Sequence, residues 1–388
     1  MSRPQAALAA PIRKCLHVVE SLDRGAVENW LVRMLRHARS SNVPVDWTFY
    51  CVIDTPGVME QAARDAGARI IRSPAPLGKT AEFARAFRAE LFRGRYDVLH
   101  GHHDLLNAVY FLASAGTPVR TRISHVHNAD ESVPTSSAIK RRLYREPLRQ
   151  TCFRMADKIV GISQHTLNTF LNGRARRPGR DLVHYYGIDA EPFSGTNDGS
   201  RSLREENGIP RDAPILLFAS RMVPEKNPVF AVDVLARLKR AIPNVIGVFA
   251  GVGSEEQNVR ARAADLGVTA SVRLLGWRED LPGVMRSSDL FILPRPDHPP
   301  EGFGLAVVEA QLAGLRMLLS NGIPDDPLLE SAVYSRLPVA AGPDQWAEAA
   351  ALLLGRNPPS PSAALEDLSK SWMDMDRALH DLMGLLNT

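Results

Sequence analysis

The sequence predicts an α/β protein made of two doubly wound parallel-sheet domains, and three observations carry that expectation. Short runs of Val, Ile, Leu and Phe alternate with longer amphipathic runs along nearly the whole chain, as expected of strands buried on both faces and helices that cover them. The rhythm breaks once, between Arg174 and Arg204, where Pro178-Gly179 and Ser194-Gly-Thr-Asn-Asp-Gly-Ser200 supply turn and linker chemistry. A chain of 388 residues that is 45% hydrophobic is also long enough for two cores, at roughly 150 residues per domain.

Taken in order, residues 1–13 read as a loose tail. The first strand is expected at 15–19, and the loop after it leads into a helix over 27–39 with Trp30, Leu31, Met34 and Leu35 as its apolar stripe. Strands follow at 45–53, 69–71, 98–100, 122–125 and 158–162. Helices separate them at 57–66, 80–93, 105–115 and 139–156. The domain boundary is placed near 187–193. Beyond it, strands at 215–219, 245–250, 272–274, 290–293 and 317–320 alternate with helices at 228–241, 255–266, 281–287 and one beginning at 305. A Pro/Ser-rich break near 358 precedes one long helical pattern with Leu365, Leu368, Trp372, Met375, Leu379 and Leu382, apolar enough to need a surface. The expected organisation is residues 1–188, 189–360, and a terminal helix 361–388 packing back on the N-terminal domain.

Composition narrows the function. A net charge of +4 with a pI near 9.0 matters only if the basic residues cluster. Cys15, Cys51 and Cys152 have no spacing for a disulfide framework or a zinc knuckle, which points to a reducing cytosol. No run reaches about 18 uncharged apolar residues, so no membrane span is expected.

The densest chemistry lies between Asp289 and Gly314. The strand Leu290–Leu293 runs into Pro294, Pro296, Pro299 and Pro300, which forbid both strand and helix. A helix then starts after Gly302-Phe303-Gly304, and exposed amides at such a start attract phosphate. Glu301 and Glu309 flank it. Upstream, Arg221 and Lys226 sit five positions apart after the strand 215–219, where one Arg fork and one Lys can converge on a diphosphate. Ala250-Gly251-Val252-Gly253 is a weaker phosphate-loop signal.

Glu301 followed by Gly-Phe-Gly-Leu305, with seven residues between Glu301 and Glu309, resembles the signature of family 4 retaining glycosyltransferases. The Arg221/Lys226 spacing matches as well, with Ser220 and Asn227 where the family usually has Gly, which puts the loop's shape in question. Asp23-Arg24-Gly25-Ala26-Val27-Glu28 resembles the Arg-Gly-Gly-x-Glu loop of the family's exopolysaccharide branch, Ala26 replacing the second Gly and either narrowing the site or facing away. Arg122-Ile-Ser-His125-Val-His127-Asn128 and Asp97-Val-Leu-His100 also look like that branch. The resemblance spans roughly Leu16 to Glu330. It implies a GT-B fold of two Rossmann-like domains facing across a cleft, and metal-independent transfer of a hexose from a UDP- or GDP-sugar with retention.

By the same resemblance, Glu301, Arg221, Lys226 and His127 are the catalytic residues. Gly25, Arg24, His125, Gly302, Phe303, Gly304, Leu305, Glu309, Trp277 and Arg278 are the donor-binding ones. Trp277 fits the nucleobase site or the core equally. Tyr186-Gly-Ile-Asp189 stands for the family's Asn-Gly-Ile-Asp, and Tyr in place of Asn weakens a hydrogen-bond role there.

The histidine pairs His100/His102 and His125/His127 invite zinc, yet no Cys or carboxylate is spaced to complete a site, so no metal is expected. Leu77-Gly-Lys-Thr80 and Asp374-Met-Asp376 are chance likenesses to a phosphate loop and a metal-binding D-x-D, and neither stands at a suitable strand end. Basic residues from Lys140 to Arg180, including Arg145, Arg149, Arg154, Arg174, Arg176 and Arg177, form either a solvated helix face or a surface for anionic lipid. Without interleaved aromatics they do not suit nucleic acid. The expected partners are therefore a nucleotide sugar and a lipid-linked or polysaccharide acceptor, in the cytoplasm or on the inner face of the plasma membrane. The rival expectations are a nucleotide-sugar epimerase of the same fold and a non-catalytic sugar-nucleotide sensor.

Overall fold

The computed structural model describes residues 13–23, 25–128, 138–194 and 200–387. Arg24, one of the expected donor contacts, lies outside them. The chain divides into two compact units, residues 1–188 with 372–388, and residues 189–371.

In the first unit, β1 (Lys14–Val19), α1 (Ala26–Ser40), β2 (Asp46–Cys51), α2 (Glu60–Asp65), β3 (Arg69–Arg72) and α3 (Thr80–Gly94) lead to β4 (Val98–Gly101). Then come α4 (Asn107–Ala113), β5 (Thr121–Val126), α5 (Ala138–Met155), β6 (Lys158–Gly161), α6 (Gln164–Leu171) and β7 (Asp181–Val183). The strands form a parallel sheet in the order β3-β2-β1-β4-β5-β6-β7. Side chains alternate between faces along a strand, and here the two faces differ. Leu16, Val18, Leu99 and Val126 join Phe83, Phe87, Tyr110 and Phe111 in an apolar core. His17 pairs with His100 across β1 and β4, and His100 with Ile123, two residues before His125. Register therefore gathers Cys15, His17, His100, His102, His125 and His127 on the opposite face, where Trp30 of α1 packs on His102, His125 and His127.

The second unit contains α7 (Glu191–Ser194), α8 (Ser200–Glu206), β8 (Ile215–Ala219), α9 (Pro228–Leu238), β9 (Ile246–Ala250), α10 (Glu256–Asp265) and β10 (Val272–Gly276). It continues with α11 (Leu281–Arg286), β11 (Leu290–Leu293), α12 (Leu305–Leu312), β12 (Arg316–Ser320), β13 (Tyr334–Leu337), α13 (Gly342–Leu354) and α14 (Pro361–Lys370). Its sheet is also parallel, in the order β10-β9-β8-β11-β12-β13. The order reverses between β8 and β11, and a crevice at such a reversal is where open α/β sheets bind ligands.

Two sequence expectations are corrected. The segment 174–204 is not all linker: β7 extends the first sheet from β6, and α7 and α8 open the second unit. A three-residue strand carries too short a pattern to stand out before its partner is known. The tail is two helices, not one. Asp374 caps α15 (Met375–Leu386), its side chain accepting from the Arg377 amide at 3.1 Å, and the break before it leaves Trp372 62% exposed rather than in a stripe. α14 packs on α12 within the second unit, whereas α15 packs on α1 in the first.

Candidate functional site

Glu301, Lys226 and Arg221 meet at the β8/β11 reversal. The proline-rich loop after β11 is pinned where the Glu301 amide donates to the Gly322 carbonyl at 2.7 Å. A side chain at Gly322 would stand 2.3 Å from the Pro296 carbonyl, so only glycine lets these loops touch. Lys226 ends a 3-10 turn, Pro224–Lys226, and Asn227 closes it at φ 54°. Asn tolerates the left-handed region better than most residues, and its Nδ2 donates to the Pro294 carbonyl at 3.2 Å. Asn in place of Gly therefore preserves the turn. Gly251 and Gly253 have a structural role, because a Cβ on either would lie 2.0 or 2.1 Å from the carbonyls of Ser220 and Met222.

The Lys226 ammonium bonds the Glu301 carboxylate at Oε2, and Arg295 Nη1 reaches the same oxygen at 3.0 Å. All three side chains are at most 15% exposed. Burial pushes the Glu301 carboxyl upward, but the two cations outweigh it and hold the group below the usual carboxylate range. Burial lowers the Lys226 ammonium from its ordinary value, against the pull of Glu301. Sequence reasoning missed Arg295. Its one signal was a cation between Pro294 and Pro296 in the loop already suspected. Arg221 is exposed, and its charge acts on both Lys226 and Glu301.

Gly304, at φ 100°, caps α12, with Phe303 buried beneath the turn. Gly302, Leu305 and Glu309 are half-buried around it. Trp277 is 43% exposed at the end of β10, so it is not a core residue. Arg278 is held by Asp280 at 2.5 Å and Glu206 at 3.3 Å.

In the first unit, Gly25 caps α1, and a Cβ there would meet Glu28 Oε2 at 1.9 Å. The Glu28 carboxyl folds back on the helix start and is pushed up to about 7, by burial first and then by Glu20 and Asp23. Ala26 is exposed. His127 and His125 lie side by side, ring centroids 4.5 Å apart. Both ring nitrogens of His127 are engaged, Nε2 with His102 at 3.0 Å and Nδ1 with the Tyr186 hydroxyl at 2.7 Å. Tyr186 thus carries a hydrogen-bond role, contrary to the expectation from its replacement of Asn. Asp104, unremarked in the sequence, has φ 50° and accepts from the His127 amide at 2.7 Å and from Asn128 Nδ2 at 2.6 Å. Burial lifts its carboxyl to about 6. Strain combined with a perturbed acid marks functional loops.

Parallel pairing also brings Cys15 beside His17 and His100, with donor atoms within 4.8 Å of one another, and groups His100, His102 and His125 likewise. The expectation that no cysteine could join the histidines fails because it counted spacing along the chain and not across strands. Many of the basic residues of 145–180 are committed within the unit: Glu146 pairs with Arg149 and Arg174, Asp181 with Arg177, and Arg180 donates to backbone carbonyls. No helix among the described residues is long and apolar enough to cross a membrane.

Two family models match this chain, the glycosyl transferase 4-like domain over residues 25–187 and glycosyl transferases group 1 over residues 200–360. EpsF of Bacillus subtilis (strain 168), described as a glycosyltransferase, is 26% identical over 97% of this chain and 96% of its own. The UDP-Gal:alpha-D-GlcNAc-diphosphoundecaprenol alpha-1,3-galactosyltransferase of Escherichia coli is 25% identical over 60% of this chain and 59% of its own. Among solved structures, Anabaena Alr3699/HepE in complex with UDP and glucose superposes with a TM-score of 0.79 at 19% identity, covering 97% of this chain and 100% of that one. With paired parallel sheets, a cation-flanked acid at the second sheet's reversal and matches along both halves, the chain belongs to the family 4 type of glycosyltransferases, of GT-B fold, which use nucleotide sugars.

Proposed function

We propose that this protein moves a hexose from a UDP- or GDP-sugar to a polysaccharide or lipid-linked oligosaccharide acceptor, with retention of configuration and without a metal. One observation carries the reading: a buried carboxylate, Glu301, clamped by Lys226 and Arg295 at the β8/β11 reversal, with Arg221 exposed beside it. Departure of a nucleoside diphosphate places negative charge on phosphate, and fixed cations with a helix start at Gly304 answer that demand without reorganisation. Lys226 and Arg221 take the diphosphate, Glu309 the ribose hydroxyls, Glu301 the sugar, and Trp277 with Arg278 the base. In the N-terminal unit Gly25 leaves room for a sugar phosphate and His127 offers a contact to the sugar, whereas His125, expected as a second contact, is fully buried with its Nδ1 3.0 Å from His100 Nε2 and does not reach a ligand.

A Glu301 oxygen tied to two cations is a weak nucleophile. That favours front-face substitution, with the leaving phosphate taking the acceptor's proton. UDP is supported by the structure of Alr3699/HepE with UDP-glucose, and a lipid-linked acceptor by the name of the Escherichia coli relative. EpsF supports the exopolysaccharide branch. We place the enzyme in the cytoplasm, on the inner face of the plasma membrane through the basic residues of 140–180. The test is nucleoside-diphosphate release and product anomer by NMR, across UDP- and GDP-sugars with EDTA present. Lys226→Ala and Arg221→Ala each lower turnover at least tenfold; unchanged release, or loss of all activity in EDTA, refutes the reading.

A further inference from the structure

The buried histidines of the first unit are joined in series. His17 Nδ1 lies 3.1 Å from His102 Nε2, His102 Nδ1 lies 3.0 Å from His127 Nε2, and His127 Nδ1 lies 2.7 Å from the Tyr186 hydroxyl. The ring centroids of the two histidine pairs are 5.4 and 5.2 Å apart. That separation is the nitrogen-to-nitrogen distance plus two ring radii, so the imidazoles meet edge to edge, in line, and do not stack face on face. All three rings are at most 6% exposed.

Burial keeps these imidazoles neutral. A neutral imidazole has one donor nitrogen and one acceptor. Three such bonds in series are all made only if every ring carries its proton on the same-named nitrogen, which leaves two possible orders. The inner end distinguishes them. His17 Nε2 is buried with no hydrogen-bond partner among the described residues, and an orphaned N–H in a core is rarer than an under-used acceptor. The favoured order puts the proton on Nδ1 of His17, His102 and His127, with His127 donating to the Tyr186 oxygen.

We propose that His17, His102, His127 and Tyr186 form an imidazole wire whose proton order is set as a unit, with His102 and Tyr186 as positioning residues that fix the tautomer of His127. The wire itself follows from geometry. Its consequence for sugar binding rests on the proposed function: a sugar oxygen reaching His127 displaces Tyr186 and meets a ready donor at Nδ1. An in-line proton between nitrogens 3.0 to 3.1 Å apart leaves no room for an ion on those atoms. A metal would instead have to use the unpartnered His17 Nε2 and His100 Nδ1 with Cys15.

Nitrogen NMR of the full chain labelled with ¹⁵N-histidine tests the wire. Expected are ¹⁵N–¹⁵N couplings across the His17–His102 and His102–His127 bonds, and protonated Nδ1 on all three rings. In Tyr186→Phe, with circular dichroism unchanged, the ring nitrogens of His17 shift, although His17 lies two hydrogen bonds beyond His127. If that variant does not fold, the wild-type couplings and tautomers decide alone. Mixed tautomers, a Tyr186→Phe effect confined to His127, or one zinc or copper ion per purified chain with the couplings absent would each overturn the proposal. In kinetics, Tyr186→Phe moves the pH profile of kcat/KM, which a merely structural contact leaves in place. The wire observed in an enzyme without transfer activity would refute the proposed function and leave the wire standing.

Discussion

Lowering the pH from 7 to 5 should destabilise the first unit, and the size of the effect follows from its histidines. His17, His100, His102, His125 and His127 are buried and held neutral, with His17 and His127 lowered to about 3 and the other three well below the ordinary value, in each case mainly by burial. In the unfolded chain each titrates near 6.5, so below that pH the unfolded state binds protons the folded state refuses, and stability falls as pH falls. By linkage, each group that refuses its proton over this interval costs about 2 kcal/mol between pH 7 and 5, or roughly 9 to 10 kcal/mol for five. His184 and His103 are shifted in the same direction and add to the loss. Asp104, raised to about 6, and Glu28, raised to about 7, act oppositely, because the folded state takes their protons first. They return about 3 kcal/mol over the same interval. The net loss of about 6 kcal/mol is comparable to the whole stability of a domain and corresponds to a fall in melting temperature of roughly 10 to 20 °C. Near-ultraviolet circular dichroism reports it through Trp30, which packs on this face. A fall of less than about 3 °C would mean that the imidazoles are already charged or hydrated when folded, and the argument would fail.

Glu301→Gln leaves Lys226 and Arg295 buried without a counter-charge, so it should cost about 3 kcal/mol of stability in the second unit as well as activity; chemical denaturation separates the two effects. Gly322→Ala places a methyl group against the Pro296 carbonyl and should lower the melting temperature of that unit while displacing Glu301, whereas Gly267→Ala, where a Cβ meets nothing within 4 Å but φ is +67°, should cost only the backbone strain, about 1 kcal/mol. Asn227→Gly accepts φ 54° but loses the Nδ2 bond to the Pro294 carbonyl, so it should cost about 1 kcal/mol or less; Asn227→Val should be clearly worse, as a β-branched residue is disfavoured there. Co-sedimentation with anionic vesicles should weaken as salt rises if the basic residues of 140–180 bind a membrane, and salt-independent binding would remove that electrostatic explanation.

The alternation of strand and helix, the proline stop after Leu293 and the cations placed after β8 were legible along the chain, because periodicity and proline act through neighbours. The sequence also presented Glu301, Lys226 and Arg221 as a set, through the spacing that resembles the family signature. What crosses between strands came from the fold. Register alone puts Cys15 beside His17 and His100, joins His102 to His127, and gives Tyr186 a bond that its replacement of Asn seemed to remove. Arg295 became a partner of Glu301 only when the loop closed on itself. The break that sends α14 and α15 to different units depends on the surfaces each helix finds. A pattern read along one chain contains no information about the distance between residues remote in that chain, and those distances set charge, tautomer and burial in this protein.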